Sequence, residues 1–192
     1  MPKIVTGDIG RFYHHYPRTV CVVTARSAGK SNAMAVAWHT SISFSPPLYG
    51  VAISPKRFTY QLIAASKEFG VNFLPFAAAE MVAAIGGSSG RECDKFRKFK
   101  ITRDKPVKTG VPILRNAYAA YECRLVDDRG YGDHQLLVGE VVAVHMTPEA
   151  FTADGTLKLD RASPVLYLGN ELYVTTSGET VKSLDRNVYG NH

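Results

Sequence analysis

The strongest constraint on this chain is how closely its apolar runs follow one another. Residues 19–25 (TVCVVTA), 33–44, 48–54 (LYGVAIS), 69–74, 118–126, 136–145 and 165–168 are short, rich in β-branched or aromatic residues, and bounded by Gly, Pro, Asp or Asn. Such runs read as strands, and a parallel sheet would need a helix after nearly every one of them. The first three, separated by Gly29-Lys30 and by Ser45-Pro46-Pro47, predict an antiparallel meander. Helical signals are fewer. Pro75 precedes FAAAEMVAAI and Gly86-Gly87 follows it, Thr59 stands as N-cap of TYQLIAAS, and a turn or two is expected from Ser88 or Ser89 through Lys95. The pattern predicts a mainly β fold, a closed or partly open barrel with short helices between its strands. With 192 residues, ordinary apolar content and neither repeat nor linker, one domain over residues 1–192 is expected.

Composition matters where it concerns charge. The formal net charge is +6, which invites nucleic acid, an anionic membrane or a phosphorylated small molecule as partner. Residues 91–108 (RECDKFRKFKITRDKPVK) hold eight Lys or Arg and three acids, so five of the six units fall in one segment. A duplex-binding surface needs a stripe drawn from several elements, so one basic segment fits a compact anion site or a solvated loop better. Phe96 and Phe99 interleave with the cations, the composition of a single-strand nucleic-acid platform, which stays as a rival of another class. Cys21, Cys93 and Cys123 are odd in number and widely spaced, with no metal-binding pattern. No signal core and no run of about 20 apolar residues is present. A cytoplasmic protein in a reducing compartment, with no membrane partner, is the expectation.

Four segments carry candidate chemistry. In Ser54-Pro55-Lys56-Arg57-Phe58-Thr59 a strand gives way to a helix, placing two cations and a hydroxyl beside free backbone N–H groups, as a phosphate dianion requires. Taken alone, the hexapeptide reads more simply as an N-cap with solvated cations. The stretch Ser88-Ser89-Gly90-Arg91-Glu92-Cys93-Asp94-Lys95 repeats the recipe. The stretch from Ser31 through Asn32, Ala33 and Met34 to Trp38, His39, Thr40 and Ser41 holds the only Trp among small and hydroxylated residues. It suits either a core tryptophan or contact with a flat heteroaromatic ring. Gly132-Asp133-His134 is a turn feeding a strand, and its histidine has no metal-ligand spacing around it.

Together, SNAMAVAWHTSISFSPPL, SPKRFTYQLI, SGRECDKF and GDHQLLVGEV occur in the order found in the flavin reductase-like FMN-binding family, which the chain resembles over residues 16–173. That group includes flavoredoxins, archaeal ferric reductases and the reductase components of two-component monooxygenases. The resemblance implies a six-stranded Greek-key split β-barrel with peripheral short helices, forming a homodimer with FMN near the interface. It places Asn32, with Ala33 and Met34, and Trp38 along the flavin, and gives Thr40 and Ser41 polar contacts to the ring edge. Thr59, helped by Lys56 or Arg57, would hold the phosphate, and Ser89, Arg91 and Lys95 would complete the anionic pocket or contact the ring edge. His134 would lie near the flavin or the nicotinamide approach, and Tyr167 near the ring. Glu92 and Cys93 depart from the common family spelling.

The implied activity is NAD(P)H-dependent flavin reduction, with hydride passing from the nicotinamide to N5 of FMN (or FAD) and electrons going on to a monooxygenase, ferric iron or an iron–sulfur protein. No side chain is required as nucleophile or general base. A flavoredoxin-like FMN electron carrier or ferric reductase is the alternative within the family. No nucleic-acid partner and no bound metal are expected.

Overall fold

The computed structural model describes residues 1–189. The expected domain therefore includes three residues, 190–192, outside the described ones. The chain runs β1 (Arg18–Thr19), β2 (Cys21–Ser27), β3 (Lys30–Val36), β4 (His39–Phe44), β5 (Pro47–Ile53), α1 (Phe58–Ser66), β6 (Glu68–Phe73), α2 (Ala79–Gly86) and α3 (Lys95–Lys98). It continues through β7 (Arg103–Asp104), β8 (Ile113–Leu114), β9 (Ala119–Tyr131), β10 (His134–Met146), β11 (Leu166–Gly169), β12 (Leu172–Val174) and α4 (Arg186–Tyr189).

Seven strands form one antiparallel sheet in the order β3-β2-β6-β9-β10-β5-β4, with β1-β11-β12 and β7-β8 as smaller sheets. In a flat sheet, six inter-strand steps of roughly 4.8 Å would hold the edges β3 and β4 about 29 Å apart. Only Ala37 and Trp38 separate those edges in sequence, a stretch that reaches at most about 11 Å. The sheet must therefore curl until its edges approach, although β3 and β4 share no ladder. The Trp38 carbonyl accepts from the Ala52 amide of β5 at 2.8 Å, which pins the link. This is the expected mainly β, split-barrel architecture, built on seven strands in its main sheet.

The connections are local hairpins with one long-range insertion. β2 turns into β3 through Ala28 and Gly29, whose φ values of 48° and 76° match the positive pair a tight two-residue hairpin needs. The β9–β10 hairpin turns at Gly132, with φ 62°. β6 lies between β2 and β9, so it pairs with neighbours distant in sequence. The predicted meander is corrected here. Residues 33–44 are two strands broken at Ala37-Trp38, and β3 and β4 lie at opposite edges.

β2 is buried on both faces, which its unbroken VCVV run anticipates. Cys21, Val23 and Ala25 point into the barrel with Tyr49, Val51, Phe69, Leu137 and, from α1, Leu62 and Ile63. Val20 and Val22 point outward under α2 and α3, against Val82, Ile85 and Phe96. Among the described residues no helix is long and apolar enough to cross a membrane.

Candidate functional site

A polar cavity of about 140 Å³ opens where three segments meet: β3, the start of α1, and the loop after α2. Period-two alternation turns Asn32 of β3 toward α1, where its Nδ2 donates to Thr59 Oγ1 at 2.9 Å. Thr59 is not the helix cap expected from sequence. Arg57 occupies that position in an extended conformation, makes no side-chain cap, and leaves α1 without an acid in its first turn. The amides opening α1 thus face the cavity without a capping side chain, beside Lys56 and Arg57. Arg91 reaches across and donates from Nη1 to the Lys56 carbonyl at 2.9 Å, tying the two loops together. Ser89 Oγ accepts from the Arg91 amide at 3.2 Å.

Lys95 lines the same cavity but directs its ammonium into the scaffold. Its Nζ donates to the Ile85 carbonyl at 2.7 Å and the Ala33 carbonyl at 3.0 Å, fastening the C-terminal end of α2 to β3. Burial lowers its pKa to about 8. The helix expected to end at Lys95 instead begins there, because Asp94 caps it by accepting from the Arg97 amide. Of the basic segment, Arg91 and Lys95 line the cavity. Arg103 lies over the Phe96 ring at 4.8 Å, and Phe96 itself is core, so that ring has no free face on which to stack bases.

Beyond the polar cavity lies a trough of about 720 Å³ with aromatic walls. Met34, Ala35, Arg57 and Gly86 line both spaces, so the two adjoin. Trp38 Nε1 donates to Tyr16 Oη at 2.9 Å, and the Trp38 ring lies 4.8 Å from the His134 ring. Tyr16 meets Tyr167 edge-on at 6.0 Å, and Tyr167 leans on Tyr173 at 5.2 Å. Ala35, Ala37, Ala52 and Gly87 keep parts of its lining low. His134 Nδ1 and Asp133 Oδ1 lie 2.7 Å apart, which orients the imidazole at the rim.

The sequence matches the flavin reductase like domain over residues 13–176. The chain belongs to the flavin reductase-like family. An FMN-binding protein from Thermus thermophilus, in a structure with bound 1-cyclohex-2-enone, superimposes with a TM-score of 0.84 at 38% identity, over 95% of this chain and 99% of that one. The reductase component of the FADH(2)-dependent resorcinol hydroxylase of Rhizobium sp. (strain MTP-10005) is 31% identical over 76% of this chain and 80% of its own length. An uncharacterized protein of Aeropyrum pernix is 36% identical over 80% of this chain, which spans 58% of that relative.

In this member of the flavin reductase-like family the residues expected from sequence fall into three groups. Asn32, Met34, Lys56, Arg57, Thr59, Ser89, Arg91 and Lys95 line the polar cavity. Trp38, His134 and Tyr167 line the trough. Ala33, Thr40 and Ser41 line neither. Ala33 is fully buried in the core beneath α2 and offers only its carbonyl, to Lys95. Thr40 and Ser41 lie exposed on edge strand β4, past the Trp38 link. Neighbouring His39 is a scaffold residue, its ring 2.6 Å from Tyr49 Oη and 2.8 Å from the Thr19 carbonyl, with burial lowering its pKa. Sequence reading missed Tyr13, Tyr16 and Tyr173 on the trough wall and Gly90 on the cavity wall. The aromatic cluster FYHHY at residues 12–16, ahead of the first strand, was the available signal.

Proposed function

We propose that this protein is an NAD(P)H-dependent flavin reductase that binds FMN, its phosphate in the polar cavity and its ring in the aromatic trough. The observation carrying this reading is the adjacency of a polar, cation-lined cavity and an aromatic trough with shared walls, since FMN joins a dianionic end to a flat apolar ring system. Unpaired groups support the fit. Lys56, Arg57 and Arg91 have no carboxylate partner among the described residues, and α1 begins without a side-chain cap. A space of about 140 Å³ accommodates a phosphate group.

Bound there, FMN would supply the redox chemistry, accepting a hydride from NADH or NADPH and releasing electrons to an acceptor. The chain's own residues bind and orient. Thr59 and the first amides of α1 hold the phosphate, Arg91 keeps the cavity wall in place, and Lys56 and Arg57 neutralise charge. Trp38, fixed by Tyr16, and Tyr167 present apolar faces to the ring and exclude water, while His134 stands at the mouth where the nicotinamide would approach. The resorcinol hydroxylase relative supports a monooxygenase partner as acceptor, with ferric iron or an iron–sulfur protein as alternatives in this role. We read the protein as cytoplasmic and homodimeric. Anaerobic addition of NADH or NADPH to FMN-loaded protein should bleach the flavin absorbance within catalytic times. No bleaching with either nucleotide would sink the reductase reading in favour of a flavoredoxin-like carrier.

A further inference from the structure

We infer that Asn32 is a positioning residue that sets the direction of the Thr59 hydroxyl proton, and so makes Thr59 a donor to the ligand's phosphate. The inference rests on reading the polar cavity as a phosphate site. A threonine hydroxyl has one proton and two lone pairs, and its rotor settles according to its neighbours. Asn32 and Thr59 are 3% and 1% exposed, so apart from the cavity their neighbours are protein. The Asn32 Nδ2 proton occupies a lone pair of Thr59 Oγ1 at 2.9 Å. Among the described residues no acceptor takes the Thr59 proton, which is therefore left for an oxygen within the cavity. With an acceptor at position 32 instead, Thr59 would turn its proton away and meet phosphate lone pair to lone pair.

The same side chain is held in one place from behind. Asn32 Oδ1 is buried without a partner, a costly condition that folded proteins keep mainly where function requires it. Gly90 packs directly on the amide, so that a Cβ there would lie 2.5 Å from Asn32 Cγ. The glycine of the Ser89-Gly90-Arg91 loop thus serves as the wall against which Asn32 rests. This arrangement joins all three segments of the cavity: β3 supplies Asn32, α1 supplies Thr59, and the loop after α2 supplies Gly90.

The test is a double-mutant cycle on the full chain, read by quenching of FMN and riboflavin fluorescence, with riboflavin as the ring without the phosphate. T59V should weaken FMN at least tenfold and riboflavin less than twofold. N32A should do the same, and the N32A/T59V double variant should be no weaker than T59V alone, because Asn32 acts through the hydroxyl already removed. Riboflavin binding by each variant shows that it has folded. Losses that add in the double variant, or an N32A loss equal for FMN and riboflavin, overturn the positioning role while leaving the phosphate site standing. Wild-type protein that binds FMN and riboflavin alike overturns the phosphate reading itself, and this role with it.

Discussion

Lys95 shows how one residue can be read correctly in place and differently in task. Its spacing from Ser89 and Arg91 puts it on the cavity, yet two of its donors are engaged by the Ala33 and Ile85 carbonyls. Burial lowers its pKa to about 8, so the charged form is penalised in the folded chain, and that penalty should lift as pH rises from about 8 toward 10.5. Lys95→Met keeps the length and removes the ammonium donor from both carbonyls. It should cost about 2 kcal/mol of stability, read from the urea midpoint at pH 7. An unchanged midpoint would show that the ammonium does not brace α2. Asn32 and Thr59 were both legible as candidates, because hydroxyl and amide groups stand out beside apolar runs. Their contact was not, since the two lie 27 positions apart in the chain. Buried Asn72, which donates to the Val22 carbonyl and accepts from the Leu114 amide, escaped for the same reason: both partners are remote in sequence.

Local breakers were read well and tertiary ones were not. FAAAEMVAAI begins and ends as its Pro75 and Gly87 demand, with a short 3-10 turn leading into α2. The stretch 33–44 contains neither Gly nor Pro, so only closure of the barrel at Ala37-Trp38 divides it into β3 and β4. The loop between β7 and β8 is a comparable case. Its amides at Val107, Lys108 and Thr109 and the Thr109 hydroxyl donate to Glu122 of β9, whose carboxylate also lies 2.7 Å from His145 Nε2. Burial alone would raise the Glu122 pKa, but these hydrogen bonds outweigh it and hold the group at about 2, against an ordinary 4.5. The stabilisation is therefore full above about pH 4.5 and fades as pH falls toward 2. Glu122→Gln should lose about 3 kcal/mol at pH 7, and the gap to wild type should narrow through that window. Urea titrations at pH 7, 4 and 3 would check it, and a gap independent of pH would refute the account.

At the scale of the whole molecule the open question is what covers the free edge of the sheet. β10 pairs with β5 only as far as Glu140, opposite Leu48, and runs on through Val141 to Met146, all apolar but His145, with no strand on that side among the described residues. Val144 and Met146 are exposed, and Phe44, at the nearby β4–β5 turn, is 96% exposed. An open apolar edge invites pairing with another chain, which fits a homodimer. Wild-type protein should sediment as a dimer at micromolar concentration and Val144→Glu as a monomer. A monomeric wild type would remove the dimer from the proposal. A mainly β, closed or partly open barrel was legible in the strand-like runs, and its split-barrel form in the resemblance to the family, whereas the number and order of strands depend on pairings between distant segments. The placing of β6 between β2 and β9 has a temporal consequence. Hairpins β2–β3, β4–β5 and β9–β10 can each form from adjacent chain, but Cys21 must find Phe73, and Phe69 must find Cys123, across about 50 residues each. Loop-closure entropy is lost before those contacts repay it, so the last events in folding should be the docking of finished hairpins, β2–β3 and β9–β10 onto β6 and β4–β5 onto β10, in milliseconds to seconds rather than microseconds.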